Sequence, residues 1–158
     1  MPSMKILLIA GGWSSEREVS LTGARGMQEA LLKRGHAVTF FDLLENFDEL
    51  LETARQHDFA LINLHGSPGE DGLVQAMLEK AGCPYQGSGP SGSFLALNKA
   101  AAKQIFRMAG LPTADWEFLP VRPAEGWEPR LPWPLFVKTT TGGSSLRLGR
   151  ATNRQELD

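Results

Sequence analysis

One cysteine stands in the 158 residues, Cys83, so the chain can form no internal disulfide and no thiolate cluster for zinc. That usage is compatible with a reducing compartment, and Cys83 by itself reads as a small core residue. Long apolar runs are missing as well. The run near the start, Ile6 to Ala10, is far shorter than the ~18 residues of a membrane span, and Gly11 and Gly12 close it at once. Neither sign of charge dominates. Against 18 Asp and Glu stand 16 Lys and Arg, dispersed along the chain, which excludes a basic footprint for nucleic acid or an anionic membrane. There is no internal repeat and no low-complexity tract. With 42% hydrophobic residues and a net charge of -2, what remains is a globular chain able to bury a core.

The segment KILLIA, closed by glycines, has the pattern of a parallel strand covered on both faces. A helix is expected next, with Ser15 and Glu18 as a capping box, Val19, Ala24, Met27, Leu31 and Leu32 as its apolar face, and Gly35 as its stop. AVTFFDL reads as a second strand, Phe47 to Gln56 as a short helix, and FALINLH as a third strand. Asp71 to Lys80 reads as a helix with Leu73, Val74, Met77 and Leu78 inward and Gly82 behind it. Strand and helix in alternation with short connections predict right-handed crossovers and a parallel sheet, an α/β class. Pro84 to Gly87 is a brief fourth strand. A turn through Ser93 then opens into a helical stretch ending at Gly110-Leu111-Pro112.

Beyond Pro112 the composition changes. Asp115 to Leu119 reads as a strand, and residues 120–134 hold five prolines and two tryptophans. LFVKT and SSLRLGR follow as two strands around a Thr/Gly/Ser loop. Thr152 and Gln155 would open a capping-box helix, yet the sequence stops at Asp158. Three strands and the start of a helix cannot close a layer of their own, so this second unit is expected to be incomplete.

Three loops follow strand ends at one edge of the sheet, where ligands bind in open α/β folds. The first, Gly11 to Ser20, is neither a dinucleotide fingerprint nor a Walker loop. Its Glu16 is either a surface charge favoured by the helix dipole or a carboxylate that receives a cationic group such as a substrate ammonium. The second, His65 to Gly72, offers His65, which either bonds a loop carbonyl or lies near a ligand, and Glu70-Asp71, which could simply cap the next helix. The third, Tyr85 to Ser91, leads to Lys99. Lys138 sits in the apolar strand Leu135-Phe136-Val137 just before Thr139 to Ser145. Such a loop can offer backbone N–H groups to phosphate oxygens while the lysine neutralises them, although hairpin loops of this composition are common and lysines are usually solvated.

Taken together, Gly-Gly-x-Ser-x-Glu-Arg-Glu-Val-Ser at 11–20, His-Gly-x-x-Gly-Glu-Asp-Gly at 65–72 and Pro84-Tyr85-x-Gly87-Ser88-Gly89 resemble the D-alanine–D-alanine ligases of the ATP-grasp superfamily. The resemblance runs over almost the whole chain. It implies a Rossmann-like substrate-binding pre-ATP-grasp domain over 1–97, a connecting helix and hinge over 98–112, and an incomplete central ATP-grasp α+β unit over 113–158. It implies a cytoplasmic enzyme that joins two D-alanines for peptidoglycan, using ATP and Mg2+, through an acyl phosphate attacked by the second amine. It also implies a homodimer formed by the N-terminal domain.

Carried over by position, the carboxylate that holds the first D-alanine's ammonium is Glu16, and the histidine near the substrate is His65. The ATP-phosphate lysines are Lys99 and Lys138, and Gly143, Ser144 and Ser145 belong to the loop that covers the phosphates. Ser144 also counts with Glu16 as a catalytic and substrate-binding residue. The metal ligands are expected beyond Asp158, so the 158 residues alone are expected to be inactive. Three positions depart from the family pattern: Asn98 replaces its usual Asp, Thr139 its Pro, and Arg147 a loop glycine. Two other readings use the same residues. One is a ligase making another D-dipeptide or a D-alanyl ester. The other is a stand-alone ligand-binding module without catalysis.

Overall fold

A computed structural model describes residues 2–124, 126–143 and 148–157. The chain divides into two compact units, Met1–Leu97 and Asn98–Asp158. No helix among the described residues is long and apolar enough to cross a membrane.

The first unit is built on a parallel sheet in the order β2-β1-β3, with β1 at Lys5–Ala10, β2 at Ala37–Asp42 and β3 at Phe59–Ile62. Alternation along β1 divides the core in two. Leu7 and Ile9 join Phe41, Leu43, Leu50 and Ala54 on one face, together with Val74 and Leu78 of α4, Leu73–Ala81. On the opposite face Leu8 and Ala10 meet Ala24 of α1, Arg17–Lys33. Burial on both faces is the reason Ile6 to Ala10 are apolar without interruption, as the covered part of a central parallel strand has to be, while Lys5 at its start is exposed. The α/β architecture expected from the sequence is therefore present.

Several local expectations are corrected. No capping box forms at Ser15 and Glu18: α1 starts at Arg17 after Glu16, with no side-chain cap. Its inward face is only partly the expected one, because Ala24 is buried as expected and is joined by Ser20, whereas Val19, Met27 and Leu32 are exposed. Small residues let the helix approach the sheet closely, and a side chain on Gly23 would come within 3.0 Å of the Asn63 amide. Cys83 is buried, as a core residue should be, and burial raises its thiol pKa.

In place of one helix over 47–56, α2 (Leu43–Asn46) leads through a 3₁₀ turn into α3 (Leu50–Ala54). Asp42 starts α2 early by accepting from the Leu44 N–H. The fourth strand shrinks to one bridge between Ala60 and Tyr85. There the Gln86 side chain takes the ladder's place, donating to Ile62 O at 2.6 Å and accepting from Ile62 N at 2.9 Å.

The helical stretch that follows is two helices, α5 at Pro90–Leu97 and α6 at Lys99–Met108. They part at Asn98, whose extended backbone and side-chain bond to Ala101 N make it the N-cap of α6. Asn and Asp cap almost equally well, so Asn98 serves this cap as the Asp expected at the position would. In the second unit β4 (Leu135–Val137) pairs antiparallel with β5 (Gly149–Ala151). Asp115 to Leu119 is not a strand. The expected Thr152–Gln155 box is replaced by Asn153 capping a 3₁₀ turn, Arg154–Glu156, whose Glu156 carboxylate reaches back to Thr152 N. Among the described hydrophobic residues of this unit only Ala151, at 2% exposure, is buried.

Candidate functional site

The loops after β1 and β3 lie against each other at the carboxyl edge of the sheet. A side chain on Gly12 would meet Leu64 at 3.3 Å and Pro68 at 3.4 Å. A side chain on Gly66 would come within 3.5 Å of Ser14 and 3.8 Å of Glu16 Oε2. The half-buried Glu16 carboxylate therefore sits beside the residue that follows His65. His65 itself is half-buried, and its ring bonds no loop carbonyl among the described residues, unlike the structural alternative weighed from sequence.

Polar ties that the sequence did not reveal fix this arrangement. Ser20 is fully buried; its hydroxyl accepts from Gly11 N at 2.8 Å and donates to Asn63 O. Asn63 returns a bond from Nδ2 to Ser20 O at 2.7 Å. The ends of β1 and β3 are thus joined through the last residue of the first signature. Arg17 forms a two-pronged ion pair with Asp42, at 2.7 and 2.6 Å, and also donates to Gly12 O at 3.3 Å. These bonds lower the Asp42 pKa below its ordinary value, against the opposing effect of burial, and Asp42 in turn raises that of Arg17. A lone Arg and a lone Asp 25 positions apart carry no local signal, which is why the pair was missed.

The second signature is explained by space. Gly69 lies so close to Leu64 that a side chain would fall 2.1 Å from Leu64 Cβ, and Gly72, at φ +91°, would strike Pro90 O at 2.4 Å. Asp71 is not the N-cap of α4, which is Gly72; it accepts from Leu73 N at 3.0 Å from one residue before the cap, and also accepts from the Ser67 hydroxyl. Glu70 is exposed.

In the second unit Lys99 is the first residue of α6. A cation at the positive end of a helix is disfavoured locally, so helix formation does not call for lysine here. Its ammonium donates to Gly142 O at 2.6 Å and its backbone N–H to Thr140 O at 2.9 Å, while Asn98 bridges Thr141. The fold thereby joins Lys99 to the loop after β4, a pairing of two separately predicted elements. Lys138 is exposed at the end of β4, and Gly143 is half-buried. Thr139 has a consequence of its own, because its hydroxyl would be 2.7 Å from a side chain on Gly142. Ser144, Ser145 and Arg147 lie outside the described residues.

No protein-family model matches the chain. Individual relatives do. It is 77% identical over 155 residues to D-alanine–D-alanine ligase of Desulfovibrio desulfuricans, a match covering 98% of this chain and 51% of that protein. The Nitratidesulfovibrio vulgaris ligase is 68% identical, with the same shares covered. Over almost its whole length the chain is similar to D-alanine–D-alanine ligases. It corresponds to an N-terminal portion and spans about half the length of the curated relatives it matches.

Among solved structures of the family, the Bacillus anthracis ligase complexed with ATP matches with a TM-score of 0.84 at 36% identity, covering 98% of this chain and 52% of that one. The same organism's ligase in another crystal structure gives a TM-score of 0.83 at 37% identity.

Proposed function

We propose that this chain supplies the ammonium-binding carboxylate and the phosphate-binding lysines of a cytoplasmic ligase that uses ATP to join two D-alanines for peptidoglycan. The observation that carries the reading is the Glu16 carboxylate lying against Gly66, where the two signature loops meet. Glu16 receives the ammonium of the first D-alanine and fixes its orientation, while His65 flanks the same edge. A carboxylate held in place and partly screened from water binds an ammonium more strongly than a freely moving surface charge does.

The residues for ATP are those of the second unit. The Lys99 ammonium beside Gly142, the Lys138 charge and the backbone of Gly143 have the donor chemistry that phosphate oxygens require, and Ser144 and Ser145 continue the same loop. ATP, when bound, supplies the phosphoryl group that activates the first D-alanine's carboxylate. Among the described residues no three His, Cys, Asp or Glu side chains gather that could hold a metal ion. Association of two copies through the first unit is part of the same reading.

The test is a hybrid in which these residues replace the matching half of the 77% identical Desulfovibrio desulfuricans relative. The hybrid is expected to form D-alanyl-D-alanine from D-alanine, ATP and Mg2+. Glu16→Gln should raise the KM for D-alanine roughly ten- to hundredfold, the loss of one charged hydrogen bond, with the KM for ATP little changed. A hybrid that folds and binds ATP but makes no dipeptide would overturn the ligase reading. Formation of only another D-dipeptide or a D-alanyl ester would redirect its second substrate.

A further inference from the structure

Glu16 immediately precedes α1, so the first turn of that helix and the loop before it determine where its carboxylate points. On the β3 side they are held by Gly12 against Leu64 and Pro68, and by Ser20 between Gly11 and Asn63. On the β2 side the anchor is Arg17. Both terminal nitrogens of its guanidinium are committed to Asp42, and one also reaches back inside the loop to Gly12 O. Asp42 is fixed in turn at the end of β2, where it accepts from Leu44 N at 3.1 Å.

The approach leaves no room at Gly11, where a side chain would fall 2.5 Å from the guanidinium and 2.6 Å from Asp42 Oδ1. A second tie runs the same way, since the Trp13 ring meets Phe47 edge-on at 5.4 Å between centroids. Both partners of the ion pair are largely shielded, with side-chain exposures of 23% and 14%, so solvent weakens it less than an ordinary surface pair.

We propose that Arg17 and Asp42 are positioning residues that aim Glu16 at the substrate ammonium. The inference rests on the reading of Glu16 given above. Arg17 acts here through geometry and not as a ligand for a substrate carboxylate, because Asp42 occupies its fork. Asp42 has a second effect: it neutralises the guanidinium one residue from Glu16. Without that counter-charge, the guanidinium becomes a competitor of the incoming ammonium for the Glu16 carboxylate.

The experiment uses the same hybrid enzyme and compares Asp42→Asn, Arg17→Lys and Glu16→Gln by KM for D-alanine, KM for ATP, kcat and urea stability. Asp42→Asn and Arg17→Lys should each raise the KM for D-alanine about tenfold or more, the scale of a small displacement of a binding group, with kcat and the KM for ATP within about twofold. Arg17→Lys keeps the charge and loses only the fork, so it serves if Asp42→Asn does not fold. In the Arg17→Ala/Asp42→Ala double variant the KM should rise no further than in the worse single variant.

Lower stability with an unchanged KM for D-alanine would make the pair purely structural and overturn the proposal. If Glu16→Gln raises that KM and the pair variants do not, the positioning role alone falls. If Glu16→Gln leaves it unchanged, the reading of Glu16 falls first and the positioning role with it.

Discussion

The inward phase of α1 can be tested by two neighbouring substitutions with opposite expected signs. Val19 belongs to the apolar pattern and is 62% exposed, whereas Ser20 is polar and 0% exposed. Ser20→Ala removes a hydroxyl that serves Gly11 N and Asn63 O together, leaving a buried N–H and a carbonyl without their partner. Each such loss costs about 1 to 3 kcal/mol, and alanine recovers at most ~0.5 kcal/mol in helix propensity, so the two losses together leave a net destabilisation of about 1.5 to 5.5 kcal/mol. Val19→Ala gives up little burial and gains helix propensity, so it should be neutral or stabilising by up to ~0.5 kcal/mol.

Urea unfolding followed by far-ultraviolet circular dichroism reads the difference as a midpoint shift of roughly 1 M or more between the two variants at unchanged slope. Amide hydrogen exchange at Gly11 adds a local reading, since that N–H loses its acceptor only in Ser20→Ala. Ser20→Ala within ~0.5 kcal/mol of the parent, or Val19→Ala as the more damaging change, would refute the reasoning.

At Gly69 an alanine would collide with the Cβ of Leu64, so Gly69→Ala should cost about 3 kcal/mol or more by thermal unfolding, and Leu64→Ala, which keeps that Cβ, should not relieve it. Because Arg17 lowers the folded pKa of Asp42, the stabilisation from that pair is complete above the ordinary Asp value of about 3.9 and is lost as pH falls through the lowered folded value. Stability measured from pH 6 downward should therefore fall more steeply in the parent than in Asp42→Asn, and parallel curves would contradict the assignment. In the hybrid ligase, Lys138→Ala should weaken ATP binding measured by calorimetry about tenfold or more, while unchanged affinity would return Lys138 to an ordinary solvated lysine.

Legibility followed the kind of force involved. The central parallel strand is legible because a strand buried on both faces must be apolar along its buried length, and Ile6 to Ala10 are. The inward face of α1 is only partly legible: Ala24 belongs to the apolar pattern and is buried, but the buried Ser20 is polar, and Val19, Met27 and Leu32 of the pattern are exposed. Gln86 shortened the fourth strand by using its side chain as a substitute for backbone, which β propensity does not encode. At the site, Glu16 and Lys99 were legible through the motifs around them. Arg17 with Asp42 and Ser20 with Asn63 join positions 25 and 43 residues apart, so only the folded chain brings them together.

These hidden ties bear on how a single carboxylate can select an ammonium at all. An exposed ion pair in water is worth about 0 to 1 kcal/mol, because two solvated groups must be ordered to make it. Glu16 avoids much of that ordering cost if its loop is already held from both sides: by Ser20 and Gly12 toward β3, and by Arg17 and Asp42 toward β2. Glycine at 11, 12 and 69 then has a common cause, since each permits an approach that a side chain would crowd, while Gly66 is called for by its positive φ of 64°. Lys99 follows the same principle in the second unit, where its bond to Gly142 O holds the ammonium beside the loop after β4. The signature strings are accordingly composed less of ligand-contacting groups than of residues that remove alternatives. Substitutions at Gly11 or Ser20 should therefore impair D-alanine recognition although neither carries a group suited to bind it.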